Sequence, residues 1–382
     1  MAPRPAAAAA AAALMDELVE EILLRIPPDD PARLLHAALV CKRWRRIVSD
    51  PRFRSRFCEF HRTPPMLGFI RNHERGSSFV STSSFRAPPA DRVNSRAIDA
   101  RHGRVLLQSR GPSDHNPWED SFHVWVPITG ERRKLPVLLP GPIYPWSWNA
   151  AVLCAAATEG CEHLDCHRGP FLVVFVGNGD VVETPVMCAH VYSSESDSWS
   201  QQISAPHIYD DLGLNPSAFA ENSLYFRCMH SVLKYDLATQ ELSLILLPEE
   251  SFFWGCALLM ATEGGELGLA YIFTSRLYLW SRKAGPNNGA GWARKVIKLT
   301  ALLPAHDDSL VPMGLTGFAH GLDVFFLRTS VGIFTFDLKS IRFITKVCEE
   351  SFCDASFPYM SFCTPALGAA SAEGSRTGTS NA

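Results

Sequence analysis

Two textures of apolar and polar positions divide this chain. From Leu14, the apolar residues Met15, Leu18, Val19, Ile22, Leu23 and Ile26 recur at spacings of three and four, which places them on one face of a helix. Asp16 and Glu17 in the first turn suit the helix dipole, and Glu21 and Arg25 stand four apart in the orientation that favours a surface pair. Pro27-Pro28 stops the helix, because a proline ring disfavours the α conformation of the residue before it. Asp30-Pro31 opens a second helix with an acceptor followed by proline at the first helical position, and Leu34, Leu35, Ala38 and Leu39 form its apolar stripe. A third helix carries Val40, Trp44, Ile47 and Val48 on one side. Asp50-Pro51 then repeats the start signal for a short basic helix through Phe53 and Phe57. Three or four helices in so short a stretch enclose little core and leave apolar surface for a partner to cover.

After His61 the period changes. Short apolar or alternating runs stand between clusters of Gly, Pro, Asn, Asp and Ser: VLLQS (105–109), FHVWVP (122–127), FLVVFVG (171–177), SLYFRC (223–228), VLKYDL (232–237), RLYLW (276–280), VFFLRT (324–329) and IFTFDL (333–338). Many short strands and few helices predict a sandwich, barrel or propeller. A repeat decides among them. The segment from Ser223, SLYFRCMHSVLKYDLATQELSLI, aligns with DVFFLRTSVGIFTFDLKSIRFIT from Asp323. Each has an aromatic strand, a second strand ending in aromatic-Asp-Leu, a polar turn and a third strand. Weaker copies set marker aromatics at Trp125, Tyr192, Tyr235, Trp280 and Phe336, at the spacing of propeller blades. The wider first gap is assigned to an insertion around 154–170. A poorer unit at MLGFI (66–70) gives about six blades, and YMSFC (359–363) is expected to return and complete the first, since ring closure removes exposed edges. The aspartate of the repeat is read as capping its turn.

The predicted organisation is an Ala-rich disordered lead at 1–13, a three- to four-helix domain at 14–60, a β-propeller of about six blades at 61–367 and a small polar tail at 368–382. Composition changes this picture little. The 382 residues are 47% hydrophobic and 20% charged with a net charge of −3, an ordinary globular balance. The basic excess is local to the helices, with an acidic balance in the remainder. No secretory signal is visible, the longest apolar run (Phe252 to Ala261) is about half of what a membrane-spanning helix needs, and the eleven cysteines lack a disulfide framework. Reduced thiols and a cytoplasmic or nuclear location are therefore expected.

The order Leu18…Ile22-Leu23…Ile26-Pro27, then Leu39-Val40-Cys41-Lys42…Trp44-Arg45, resembles the F-box, with Met15 standing where many F-boxes have proline. The resemblance implies docking on the Skp-family adaptor of a cullin–RING ubiquitin ligase. It carries adaptor contact to Leu18, Ile22, Leu23, Ile26, Pro27, Val40, Cys41 and Arg45, and helical core packing to Leu39, Trp44 and Ile47. The β-rich remainder resembles the F-box-associated propellers of plant F-box proteins and, more loosely, kelch propellers. The implied function is that of a substrate receptor that performs no bond chemistry itself and presents an unknown protein for ubiquitination. The alternatives are a plain scaffold, or nucleic-acid binding by the basic stretch 41–56 through Lys42, Arg43, Arg45, Arg46, Arg52, Arg54 and Arg56. That stretch has no Asn or Gln to read bases.

No nucleophile elbow, metalloprotease helix, P-loop or dinucleotide fingerprint occurs. GlyAsnGlyAsp (177–180) reads as a turn. Trp146, Trp148 and Trp254 read as core residues or, alternatively, as the lining of a binding face. One dense cluster of soft ligands remains: Cys154, Cys161, His163 and Cys166, beside His167. Thiolate and imidazole at short spacing suit tetrahedral zinc, but the spacing lacks the paired C-x2-C knuckles of usual structural sites. The expectation is an inserted loop of reduced thiols with no cofactor, and zinc held by those four as the alternative.

Overall fold

The computed structural model describes residues 16–74, 76–88, 95–109, 121–138, 143–156, 161–181, 184–206, 210–248, 257–283, 291–299, 302, 308–349 and 355–365. The Ala-rich lead, the polar tail, Met15 and Trp254 lie outside these residues. The chain separates into a helical unit, Met1–Pro64 together with the segment from Phe362, and a β unit, Pro65–Ser361. The β unit thus stops short of the expected boundary at 367, because the segment after Ser361 groups with the helices.

In the helical unit the proline and aspartate signals set the element ends. Helix α1 spans Asp16–Leu24, α2 Pro31–Val40, α3 Lys42–Val48 and α4 Pro51–His61. Asp50 caps α4 as its sequence predicts, accepting the Arg52 N–H at 2.8 Å. Asp30 does not cap α2; its carboxylate turns to Arg33 Nε at 3.3 Å. The core is made by Val19, Leu23 and Leu24 of α1, Leu34, Ala37 and Ala38 of α2, Val48 of α3, and Phe53, Phe57 and Cys58 of α4. Phe57 stacks against Phe53 and meets Phe362 edge-on, with ring centroids 5.8 and 5.9 Å away.

The β unit is a six-bladed propeller. Strands β1 (Met66–His73) and β2 (Gly76–Ser81) begin the first blade. The second holds β3 (Ser95–Arg101), β4 (Arg104–Ser109), β5 (Ser121–Trp125) and β6 (Arg132–Lys134). The third holds β7 (Ile143–Cys154), β8 (Phe171–Val181), β9 (Thr184–Ser193) and β10 (Ser198–Trp199), with β11 (Ile203–Pro206) also paired to β9. The fourth holds β12 (Ala218–Ala220), β13 (Ser223–Arg227), β14 (Ser231–Asp236) and β15 (Leu242–Leu246). The fifth holds β16 (Leu258–Ala261), β17 (Leu267–Phe273), β18 (Arg276–Lys283) and β19 (Gly291–Lys298). The sixth holds β20 (Gly314–Ala319), β21 (Val324–Thr329), β22 (Gly332–Asp337) and β23 (Arg342–Cys348). Finally β24 (Ser356–Met360) returns to β1, completing the first blade in the order β2-β1-β24. The closing strand begins three residues before the predicted YMSFC.

All five marker aromatics fall on the third strand of their blades and are buried. The aspartate of the repeat does cap its turn. Asp236 Oδ1 accepts the N–H groups of Ala238 and Thr239 at 3.0 and 3.2 Å, and Asp337 Oδ1 those of Lys339 and Ser340 at 2.8 and 3.3 Å. Hydrogen bonding holds both carboxyls below the usual carboxylate range: the Thr239 amide is the largest influence at Asp236, and the Ser340 hydroxyl, which donates to Oδ2 at 2.7 Å, at Asp337. GlyAsnGlyAsp is not a turn; it extends β8, with Gly177 opposite Cys188 and Asn178 opposite Met187.

The core lies between neighbouring blades, where apolar faces of successive sheets meet. Ile98, Leu106 and Val124 pack against Trp148, Val152 and Phe175, for example, which makes Trp148 a core residue. Buried polar side chains tie the blades together. Asn72 Nδ2 donates to the Ala97 carbonyl at 2.7 Å while its Oδ1 accepts the Ala97 N–H at 2.9 Å, so one side chain joins β1 to β3 as a strand would. Asp99 accepts the Val152 N–H at 2.9 Å, with Arg101 beside it at 3.5 Å.

Closure depends on a close approach. A Cβ on Gly317 of β20 would sit 2.1 Å from the Ser356 carbonyl oxygen of β24. Gly317→Ala must displace one strand, and an overpacking cost of about 1–3 kcal/mol is expected as a lowered urea midpoint. An unchanged midpoint would contradict this contact.

Candidate partner-docking site

Among its described residues the helical unit keeps five large aliphatic side chains in solvent. On α1 these are Leu18, 47% exposed, and Ile22, 51% exposed, one turn apart; on α2 they are Leu35, Leu39 and Val40, with Leu39 at 80% and Val40 at 64%. The α1 pair arises because its apolar stripe is wide: Val19 and Leu23 turn into the core and leave Leu18 and Ile22 on the flank. On α2 the buried row is Leu34, Ala37 and Ala38, so Leu35 and Leu39 fall outside it. A bundle this small has no second apolar layer with which to cover them.

Of the residues assigned to partner contact, Leu18, Ile22, Pro27, Val40, Cys41 and Arg45 are exposed and Ile26 is half-buried. Leu23 is not at the surface; at 1% exposure it is a core residue. Leu39, assigned to the core, is the most exposed aliphatic of the five. Trp44 and Ile47 are half-buried, and Val48 supplies the fully buried position of α3. Leu35 is an exposed aliphatic that sequence reasoning placed in the stripe. The width of that stripe, four positions on a ten-residue helix, was its available signal. Cys41 forms the extended joint between α2 and α3, and its Sγ accepts the Trp44 N–H at 3.4 Å.

The basic residues are largely engaged within the bundle. Arg43 and Arg46 both pair with Asp16, the latter at 3.2 Å. Arg56 spans Glu20 and Glu21 at 2.6 and 2.8 Å, and Arg54 is buried. The hydrogen bond from Arg43, followed by the nearby guanidinium charges, holds the Asp16 carboxyl below its ordinary range. Exposed ion pairs of this kind add little stability, but they neutralise the charge that phosphate binding needs. The acidic α1 thus answers the basic α3 and α4. This weighs against the nucleic-acid reading.

In the β unit, a cleft of about 880 Å³ is lined by Arg104, Arg132, Arg133 and Arg168 with Glu131 and Glu195. Its four guanidiniums outnumber the nearby carboxylates, which are Glu131, Glu195 and the Asp197 that pairs with Arg133 at 3.1 Å, and this favours acidic groups. One wall is the segment His167–Phe171 that follows the cysteine cluster. In that cluster the donor atoms of Cys154, Cys161, His163 and Cys166 all lie within 4.8 Å of one another, although their spacing suggested a plain loop. His167 does not join them; it pairs with Asp165 at 3.1 Å. Burial raises the thiols of Cys154 and Cys166, the latter to about 12 with further help from its cysteine neighbours, and burial lowers the adjoining His102 to about 3.

Among the described residues no helix is long and apolar enough to cross a membrane. Residues 14–56 match the F-box domain family. None of the curated proteins matches the chain. Solved structures similar to it include TolB from Acinetobacter baumannii, at 9% identity and a TM-score of 0.37 over 76% of this chain and 66% of that one. A protein of unknown function from Bacteroides caccae is 7% identical with a TM-score of 0.43, over 77% and 99%. AztD from Citrobacter koseri is 10% identical with a TM-score of 0.36, over 76% and 81%. Likenesses this distant say nothing of what this chain does.

Proposed function

From a chain with an F-box domain at residues 14–56 ahead of a six-bladed β-propeller, we infer a substrate receptor of a Skp–cullin–F-box ubiquitin ligase. One observation carries this reading: Leu18, Ile22, Leu35, Leu39 and Val40 stand exposed on α1 and α2 of the F-box. F-box domains generally bind Skp-type adaptors, and uncovered aliphatics are the side chains that such an apolar interface buries. The propeller supplies the target-binding surface, and the arginine-lined cleft is one concavity available to it. The chain then acts by proximity: it raises the effective concentration of a target lysine near the ubiquitin thioester, and the chemistry belongs to the cullin–RING complex and its charged partner. A cytoplasmic or nuclear location follows from this role.

Reconstitution tests the reading. The purified chain, a Skp-family adaptor and a cullin are mixed and resolved by size-exclusion chromatography, and a single complex containing all three is expected. A chain that elutes apart from the adaptor overturns the assignment. A chain that binds adaptor without recruiting cullin is a scaffold.

A further inference from the structure

We propose that Cys154, Cys161, His163 and Cys166 form a structural zinc site that fastens the loop after β7 to the propeller. The ligand set is three thiols and one imidazole, one of the usual tetrahedral combinations. Zinc bonds of about 2.3 Å to sulfur and 2.0–2.1 Å to nitrogen make tetrahedral edges of about 3.5–3.8 Å. The cluster is already close to that size. No donor atom is more than 4.8 Å from another, and Cys166 Sγ lies 3.7 Å from His163 Nδ1. The irregular spacing is no obstacle, because Cys154 comes from the end of β7 while the other three come from a loop folded back over it.

Neighbouring side chains and backbone groups hold these four residues in place. The His163 N–H donates to Cys161 Sγ at 3.4 Å, an interaction that strengthens when the sulfur becomes a thiolate. His163 stacks face to face on His102, ring centroids 4.1 Å apart and planes 12° from parallel. His102 Nδ1 in turn accepts the N–H of Cys154 at 3.0 Å, so two of the four ligand residues are fixed through one ring. Arg104, 1% exposed, donates to the Cys166 carbonyl at 2.6 Å and to the Gly169 carbonyl at 2.5 Å. Its cation stands beside a site whose three thiolates and one zinc ion carry a net charge of −1. Binding displaces the thiol protons to solvent and changes no oxidation state. A metal here would also fix one wall of the arginine-lined cleft, because His167, Arg168 and Gly169 follow Cys166 directly.

The test uses the full chain purified under reducing conditions, with zinc measured by mass spectrometry and cobalt substituted as a spectroscopic probe. About one equivalent of zinc and the visible bands of tetrahedral, thiolate-ligated cobalt are expected. Cys161→Ser and Cys166→Ser should each lose both signals, while Cys188→Ser, a buried thiol on β9, should retain them. Chelation should hasten proteolysis within 155–170. Less than about half an equivalent of zinc together with no tetrahedral cobalt spectrum in the unmutated chain overturns the proposal, even if the serine variants fail to fold. The metal content of this chain is independent of adaptor binding, so failure here leaves the receptor reading intact.

Discussion

Leu18→Ala combined with Ile22→Ala is expected to abolish capture of a Skp-family adaptor while leaving the fold unchanged. Both side chains are about half exposed on α1, whereas the core of that helix is made by Val19, Leu23 and Leu24. Truncating the first pair removes surface that only a partner covers. Well-packed interface anchors lose about 2 kcal/mol each on truncation, so the pair should weaken binding by a factor of about 1,000. Isothermal titration against purified adaptor measures this, and an unchanged melting temperature shows that the bundle survives. Leu23→Ala provides the contrast: at 1% exposure it should lower the melting temperature, costing about 2–5 kcal/mol, and weaken adaptor binding only through loss of the folded state. Full-strength capture by the double variant would refute docking through α1.

The second large effect is a stop codon after Ala355. It removes β24, which leaves the first blade as the two-stranded pair β1–β2, a unit too small to be stable alone, and opens a sheet edge on β1. Phe357 and Tyr359, both nearly fully buried, go with it, as do the Tyr359 hydroxyl bond to the Gly103 carbonyl at 3.0 Å and the Ser356–Thr316 hydroxyl pair at 3.0 Å. Two buried aromatics at about 3–5 kcal/mol each are comparable to the whole stability of a typical domain. The truncated chain should aggregate or unfold without a cooperative transition in circular dichroism. The full-length variant Phe357→Ala/Tyr359→Ala isolates the strand from the rest of the C-terminal segment and should fail in the same direction. A truncated chain that stays monomeric and melts where the intact chain melts would show that the ring does not need this strand.

The helices were legible because proline, aspartate and three-four periodicity act locally. What periodicity did not reveal was which edge of a wide apolar stripe turns inward. Leu39 is exposed and Leu23 buried, the reverse of expectation, for that reason: burial depends on where α3 and α4 cross, which is a tertiary matter. In the fourth and sixth blades, the second to fourth strands announced themselves by aromatic residues and turn aspartates, and in the other blades more weakly. The first strands did not. Those such as AFA at 218–220 and GLTGFA at 314–319 are short, rich in small residues and mostly buried on both faces, so they show no alternation. The wide gap between Trp125 and Tyr192 was assigned to an insertion, but the 12-residue β7 and 11-residue β8 account for part of it as longer strands. The cysteine cluster was discounted on spacing alone. Spacing is informative when all ligands lie on one loop, and here a strand supplies one of them.

The return of β24 to β1 also sets a schedule for synthesis. The strand that begins the ring and the strand that finishes it are separated by nearly the whole propeller, about 280 residues, which takes roughly 15–60 s to translate at ordinary elongation rates. For most of that interval the four helices are already outside the ribosome and β1 waits with one edge unpaired. On the receptor reading, the adaptor-docking helices are available on the nascent chain well before the propeller is complete, and the free edge of β1 persists until the last strand emerges.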